Sequence, residues 1–139
     1  HLMSLGIPLN TDSTLKGQTV FLAERCGELM YDDIITDRTI IDVMAFTQNA
    51  KSIPYQDKDK FIEYAKEFIR EYDYIFYISP EGLPIEDNGV RETDEHYRDV
   101  IDFTITSFIR KYAYMMKNIE TIKGTTEERI QQILNITDL

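Results

Sequence analysis

Cysteine, tryptophan and positive charge are what this 139-residue chain has least of: one cysteine, no tryptophan, and 15 basic residues against 25 acidic ones. A single cysteine, Cys26, cannot close an internal disulfide or build a cysteine metal cluster, which points to a reducing, cytoplasmic setting. Set in AERCGEL with no histidine beside it, Cys26 reads as a packing or surface residue, not as a catalytic thiol. The net charge of −10 would repel a nucleic-acid backbone, whose binding rests on clusters of lysine and arginine that displace counterions. No apolar stretch approaches the ~20 residues needed to cross a bilayer, and no signal-peptide pattern opens the chain. Repeats, low-complexity tracts and linkers are absent too. What remains is an apolar share of 42% in a length suited to one domain, so residues 1–139 are read as a single folded unit.

The apolar spacing divides that unit into alternating elements. Ser13 to Leu29 predicts a helix capped by Ser13 or Thr14, with Leu15, Val20, Phe21, Leu22, Cys26 and Leu29 near helical spacing. Asp33 to Asp37, DIITD, predicts a short buried strand, followed by a helix from Thr39 to Ala50. Asp57 to Tyr72 is the clearest helix, with Phe61, Ile62, Ala65, Phe68 and Ile69 on one stripe. Tyr74 to Ser79, YIFYIS, is a continuous β-prone run of the kind found in parallel sheets covered on both faces. A loop from Pro80 to Gly89 leads to a long helix from Asp94 to Tyr112; a strand over Met116 to Lys123 and a helix over Thr125 to Ile136 complete the order. This alternation predicts an α/β domain with a mainly parallel sheet and a ligand site outside the carboxyl ends of its strands.

Those ends carry the chemistry. Asp37, at the tip of the first predicted strand, is a residue that can hold Mg²⁺ through water or orient a nucleophile. Beside it, Arg38 can grip a phosphate with its planar fork of donors. The same pair also suits a capping acid with its arginine, and Asp37 as a general base without phosphate chemistry is a third reading. Glu86-Asp87-Asn88-Gly89-Val90-Arg91 and then Arg98 suit a lid, over about residues 80–93, that brings cations to transferring phosphoryl oxygens. An ordinary solvated turn capped by Thr93 or Asp94 has the same composition. Thr14 and Gln18, four apart on one helix face, suit a nucleobase edge or a cap and surface position. Gly124 and Thr125 suit an adenine pocket or a plain strand-to-helix turn.

The order of these pieces resembles a family. Leu5-Gly6-Ile7-Pro8, Thr14 with Gln18, Ile35-Thr36-Asp37-Arg38 with Asp42, Tyr72 to Ile78, Glu86 to Arg91 with Asp94, and Gly124-Thr125-Thr126-Glu127-Glu128-Arg129 are similar to the AAA-type P-loop domains related to the ribosylnicotinamide-kinase part of NadR and to small nucleoside and nucleotide kinases. The resemblance implies a three-layer kinase-like fold that binds ATP and Mg²⁺ and transfers the γ-phosphoryl group to a nucleoside- or nucleotide-like acceptor. It implies Asp37 for the Mg²⁺ water or the acceptor hydroxyl, Arg38 on the acceptor, Arg91 as the lid arginine, Arg98 in its support, and oligomerisation as a possibility. The pattern G-x-x-x-x-G-K-[ST] does not occur in these residues. In the family it would precede His1, where Leu2, Met3 and Leu5 before Gly6 read as the last turn of a helix. The expectation is therefore a fragment without the first strand and P-loop, inactive alone; the alternative is a non-catalytic nucleotide-binding or protein-interaction module of the same fold.

Overall fold

The computed structural model describes residues 6–78 and 95–138. Helix α1 runs Leu15–Glu28, and the Thr14 hydroxyl caps it by accepting the Gly17 amide at 3.1 Å. A side chain at Gly17 would put Cβ 2.7 Å from Ile7 Cγ2, so glycine lets the incoming chain cross the helix closely. Helix α2, Ile40–Gln48, is the centre of the molecule. Ile40, Met44 and Ala45 are fully buried, with Ile41 and Val43 nearly so, because the helix packs against α1, α3 and α4 at once.

Helix α3, Tyr55–Ala65, follows Pro54 and buries Phe61, Ile62 and Ala65, the stripe expected of it. It then tightens into a 3₁₀ segment, Lys66–Glu71, that adds Ile69 to the core. Strand β1, Ile75–Ile78, crosses through helix α4, Glu95–Tyr112, to strand β2, Ile119–Ile122. The two strands pair in parallel, Ile75 opposite Ile119 and Ile78 opposite Ile122. A parallel pair requires such a crossover, and α4 supplies it while burying Ile101, Phe108 and Tyr112. Helix α5, Thr126–Thr137, buries no residue fully and sits at the periphery. It is clamped to the end of β2 by Gln132, whose side chain accepts the Lys123 amide and donates to the Lys123 carbonyl.

The architecture is mixed helix and strand, mostly helical, with a two-stranded parallel sheet among the described residues. The strand expected over Asp33 to Asp37 is not formed. Ile34 and Ile35 are 44% and 88% exposed, where a buried strand was expected. A strand exists only where another backbone accepts its ladder, and among the described residues the amides of Asp32 to Arg38 meet no backbone carbonyl. Asp33, with φ 51°, also interrupts the extended run. Within the YIFYIS run, Ile75–Ile78 is a parallel strand as expected but is less covered: Ile75 is buried and Ile78 is 43% exposed. Helix boundaries otherwise fall within a few residues of those predicted. The lid loop over 80–93 and the turn before Gly6 lie outside the described residues. Among those residues, no helix is long and apolar enough to cross a membrane.

Candidate functional site

The Asp37-Arg38 pair leads directly into α2, and the first question is whether that helix start can itself bind an anion. Its amides are already used. The Thr39 amide donates to Asp42 Oδ2 at 2.8 Å, Ile40 to the Tyr72 hydroxyl at 3.1 Å, Ile41 to Thr39 Oγ1 at 3.1 Å, and Asp42 to the Thr39 carbonyl at 3.1 Å. Anion binding here therefore falls to side chains, and Arg38 is the cation in place.

Arg38 is exposed but not loose. Its guanidinium carbon stands 5.6 Å from the centre of the Phe46 ring, a cation–π contact that steadies a long side chain without consuming its N–H donors. Phe46 in turn meets Tyr97 of α4, ring centres 6.4 Å apart. Arg38 is thereby tied to the first turns of α4, where Arg98 follows Tyr97 and is half-buried.

Asp42 lies four residues before Phe46 on α2, close enough to feel the Arg38 charge. Burial pushes its carboxyl above the usual carboxylate range, against the lowering pull of the Thr39 amide and of the Arg38 and Arg25 charges. Tyr72, which accepts the Ile40 amide, is pushed up to about 12, mainly by burial. Both groups serve the α2 start, so they fix where Arg38 leaves the chain. Asp37 itself is exposed and has no hydrogen bond or ion pair among the described residues.

The other expected site residues are placed differently. Gln18 is 2% exposed, and both its amide hydrogens are taken, by the Val43 carbonyl at 3.3 Å and the Thr47 hydroxyl at 3.0 Å. It braces α1 against α2, so the nucleobase-edge role expected of it has no donor to work with. Thr14 Oγ1 is the cap of α1. Gly124 adopts φ +103°, and a Cβ there would lie 2.8 Å from Glu128 Oε1. Thr125 and Glu128 form a reciprocal capping box. Gly124 and Thr125 thus make the strand-to-helix turn, the plainer of their two expected roles. Arg91 lies outside the described residues.

No protein-family model, curated protein or solved structure matches the chain. The assignment of function therefore rests on the residues themselves.

Among the described residues no group of three potential ligands could hold a metal ion. Asp37 alone suits Mg²⁺ held mostly by water and substrate phosphates, and not a cage made of protein. A separate open cavity of about 290 Å³ between α2, α3 and α4 is lined by Gln48, Asp59, Ile62, Glu63, Phe108, Lys111 and Tyr112, none of them an expected site residue. Phe46, Tyr97, Asp42 and Tyr72 are the supporting residues, to which the reading by residue type gave no role at the site. The spacing of Asp42 and Phe46 by four on α2 is the signal that groups two of them on one helix face; Arg38, before the extended Thr39 cap, is placed by contact and not by spacing.

Proposed function

We propose that the chain belongs to a P-loop kinase-like domain that transfers the γ-phosphoryl group of ATP, with Mg²⁺, to a nucleoside- or nucleotide-like acceptor. The observation that carries this reading is the exposed Arg38 fork, steadied on Phe46 next to the start of α4 and flanked by the Asp37 carboxylate, which has no partner among the described residues. An arginine with free donors beside a carboxylate is the pairing that phosphoryl transfer uses, since that chemistry depends on positioning and charge neutralisation. The parallel β1–α4–β2 unit supports it, because in such units ligands gather outside the carboxyl ends of the strands. In this reading Arg38 binds the acceptor, Asp37 orients the Mg²⁺ water or the acceptor hydroxyl, and Arg91 and Arg98 serve the closing lid.

The test is ATP- and Mg²⁺-dependent phosphorylation of a nucleoside and nucleotide panel by the full encoded protein. Arg38→Ala should lower kcat/KM by roughly 10²-fold or more, the worth of about two charge-assisted hydrogen bonds, with Arg38→Lys only a partial rescue. Arg91→Ala should lower kcat more than it raises KM. The residues 1–139 alone should show no turnover. An encoded sequence before His1 without a glycine-rich loop ending in Lys-Ser or Lys-Thr would sink the kinase assignment. So would a full protein that binds no nucleotide, leaving the interaction-module reading.

A further inference from the structure

Strand β1 has the composition of an interior strand and the pairing of an edge strand. Ile75, Phe76, Tyr77 and Ile78 are apolar or aromatic on both faces, yet among the described residues only β2 pairs with them. The Ile75 amide donates to the Asn118 carbonyl at 2.8 Å. Donors and acceptors alternate along a parallel strand, so those of Phe76 and Ile78 point to the opposite edge. That edge carries no proline, charge or bulge to deter another strand.

The connection between α1 and α2 carries the complement. Met30, Tyr31, Ile34 and Ile35 are 84%, 70%, 44% and 88% exposed, and the amides from Asp32 to Arg38 meet no backbone carbonyl among the described residues. Ile34, Ile35 and Thr36 are β-branched, the residues that fit a pleated surface. Among the described residues the chain therefore presents both an unpaired strand edge and an unpaired strand-forming tract.

We infer that two copies of the chain associate by reciprocal strand addition, residues 34–37 of each, beyond the turn at Asp33, pairing with the outer edge of β1 in the other. Donor and acceptor lie on every copy, so a reciprocal exchange about a two-fold axis satisfies both and closes as a dimer, whereas one-way addition would grow a ring or a filament and would count against the inference. Burying Met30, Tyr31, Ile34, Ile35, Tyr74 and Ile78 in both copies removes on the order of 1,000 Å² from water, enough for a specific interface. Each copy brings a charge of −10, so the dimer should tighten as salt screens the repulsion.

Light scattering after gel filtration and sedimentation velocity on the 139-residue chain test this. The expected result is a dimer across the micromolar range, tighter at about 0.5 M than at about 0.05 M salt. Ile35→Asp and Ile78→Lys, both at exposed positions, should each weaken it by more than about tenfold with unchanged circular dichroism and melting. An equal mixture of the two variants should regain dimer, since it keeps one intact tract facing one intact edge. Ile130→Asp, on the exposed face of α5, should leave association unchanged. A monomer at every concentration, which includes a tract that pairs with its own β1, overturns the inference. So does a dimer that survives both strand variants, a mixture that stays monomeric, or a dimer broken by Ile130→Asp.

Discussion

Replacing Gln18 separates a residue that binds a ligand from one that holds two helices together. Its amide spans α1 and α2 with bonds of 3.3 Å to the Val43 carbonyl and 3.0 Å to the Thr47 hydroxyl, in a position 2% exposed. Gln18→Ala removes both bonds and leaves a hole. At about 1 kcal/mol net per bond, and somewhat less for the longer one, plus a cavity contribution of similar size, the loss should be about 2–4 kcal/mol. Gln18→Met fills nearly the same space without polar atoms. It strands nothing, because the Thr47 hydroxyl still donates to the Val43 carbonyl at 2.8 Å. Replacement by an apolar group of the same shape is close to neutral when no partner is orphaned, so the methionine variant should lose about 1 kcal/mol or less. Urea unfolding monitored by circular dichroism gives both values from the midpoints at constant slope. A loss under about 0.5 kcal/mol for Gln18→Ala, or equal losses for alanine and methionine, would refute the brace.

Tyr72→Phe removes the acceptor of the Ile40 amide at 3.1 Å and should cost about 1–3 kcal/mol in the same unfolding experiment. Burial raises the Tyr72 hydroxyl from 10.0 to about 12, so its contribution is complete below the unfolded value and lost as pH rises through the folded one. Wild type should therefore lose stability between about pH 10 and 12 more steeply than the phenylalanine variant. Asp42 is also raised, so the stability linked to its protonation is present below the ordinary carboxylate range and lost as pH rises through its raised value. Asp42→Asn, which keeps an oxygen for the Thr39 amide, should accordingly compare better with wild type at neutral pH than near pH 4; equal differences at both would count against it. Gly124→Ala forces a side chain into φ +103° and onto Glu128, and should cost about 1–2 kcal/mol with a loss of α5 helicity by circular dichroism.

The helices were legible because each carries its own evidence. Thr14, Thr39 and Thr125 stand where caps were expected or where a helix was expected to begin, and of the stripe expected to run through α3 into the 3₁₀ segment, Phe61, Ile62, Ala65 and Ile69 are buried and Phe68 is half-buried. The DIITD segment failed for the complementary reason. Its β-branched residues describe a segment able to be a strand, but pairing is a property of two backbones, and the second does not announce itself in the first. YIFYIS became a strand because β2 lies beside it in register, reached by the α4 crossover. DIITD has the same apolar character without a described partner, and its isoleucines stay in water.

Site residues divide along the same line. Arg38 is singled out by type and position in the proposed function, and the structure places it exposed and stacked on Phe46. Gln18 and Gly124 were ambiguous, because an amide can brace a core as readily as it can read a base, and a glycine can turn a chain as readily as it can admit a ligand. Contact geometry decides between such uses, and for Gln18 it decides through donor count: two hydrogens, two acceptors, none left. The Arg38 donors are a different case. Phe46 takes the face of the guanidinium and leaves its edge, and the edge is the part that recognises a carboxylate or a phosphate. Phe46→Leu should therefore keep the charge of Arg38 but lose its aim. Weaker acceptor binding with unchanged melting would locate the effect in orientation, whereas an unchanged KM would show that Phe46 merely packs α2 against α4.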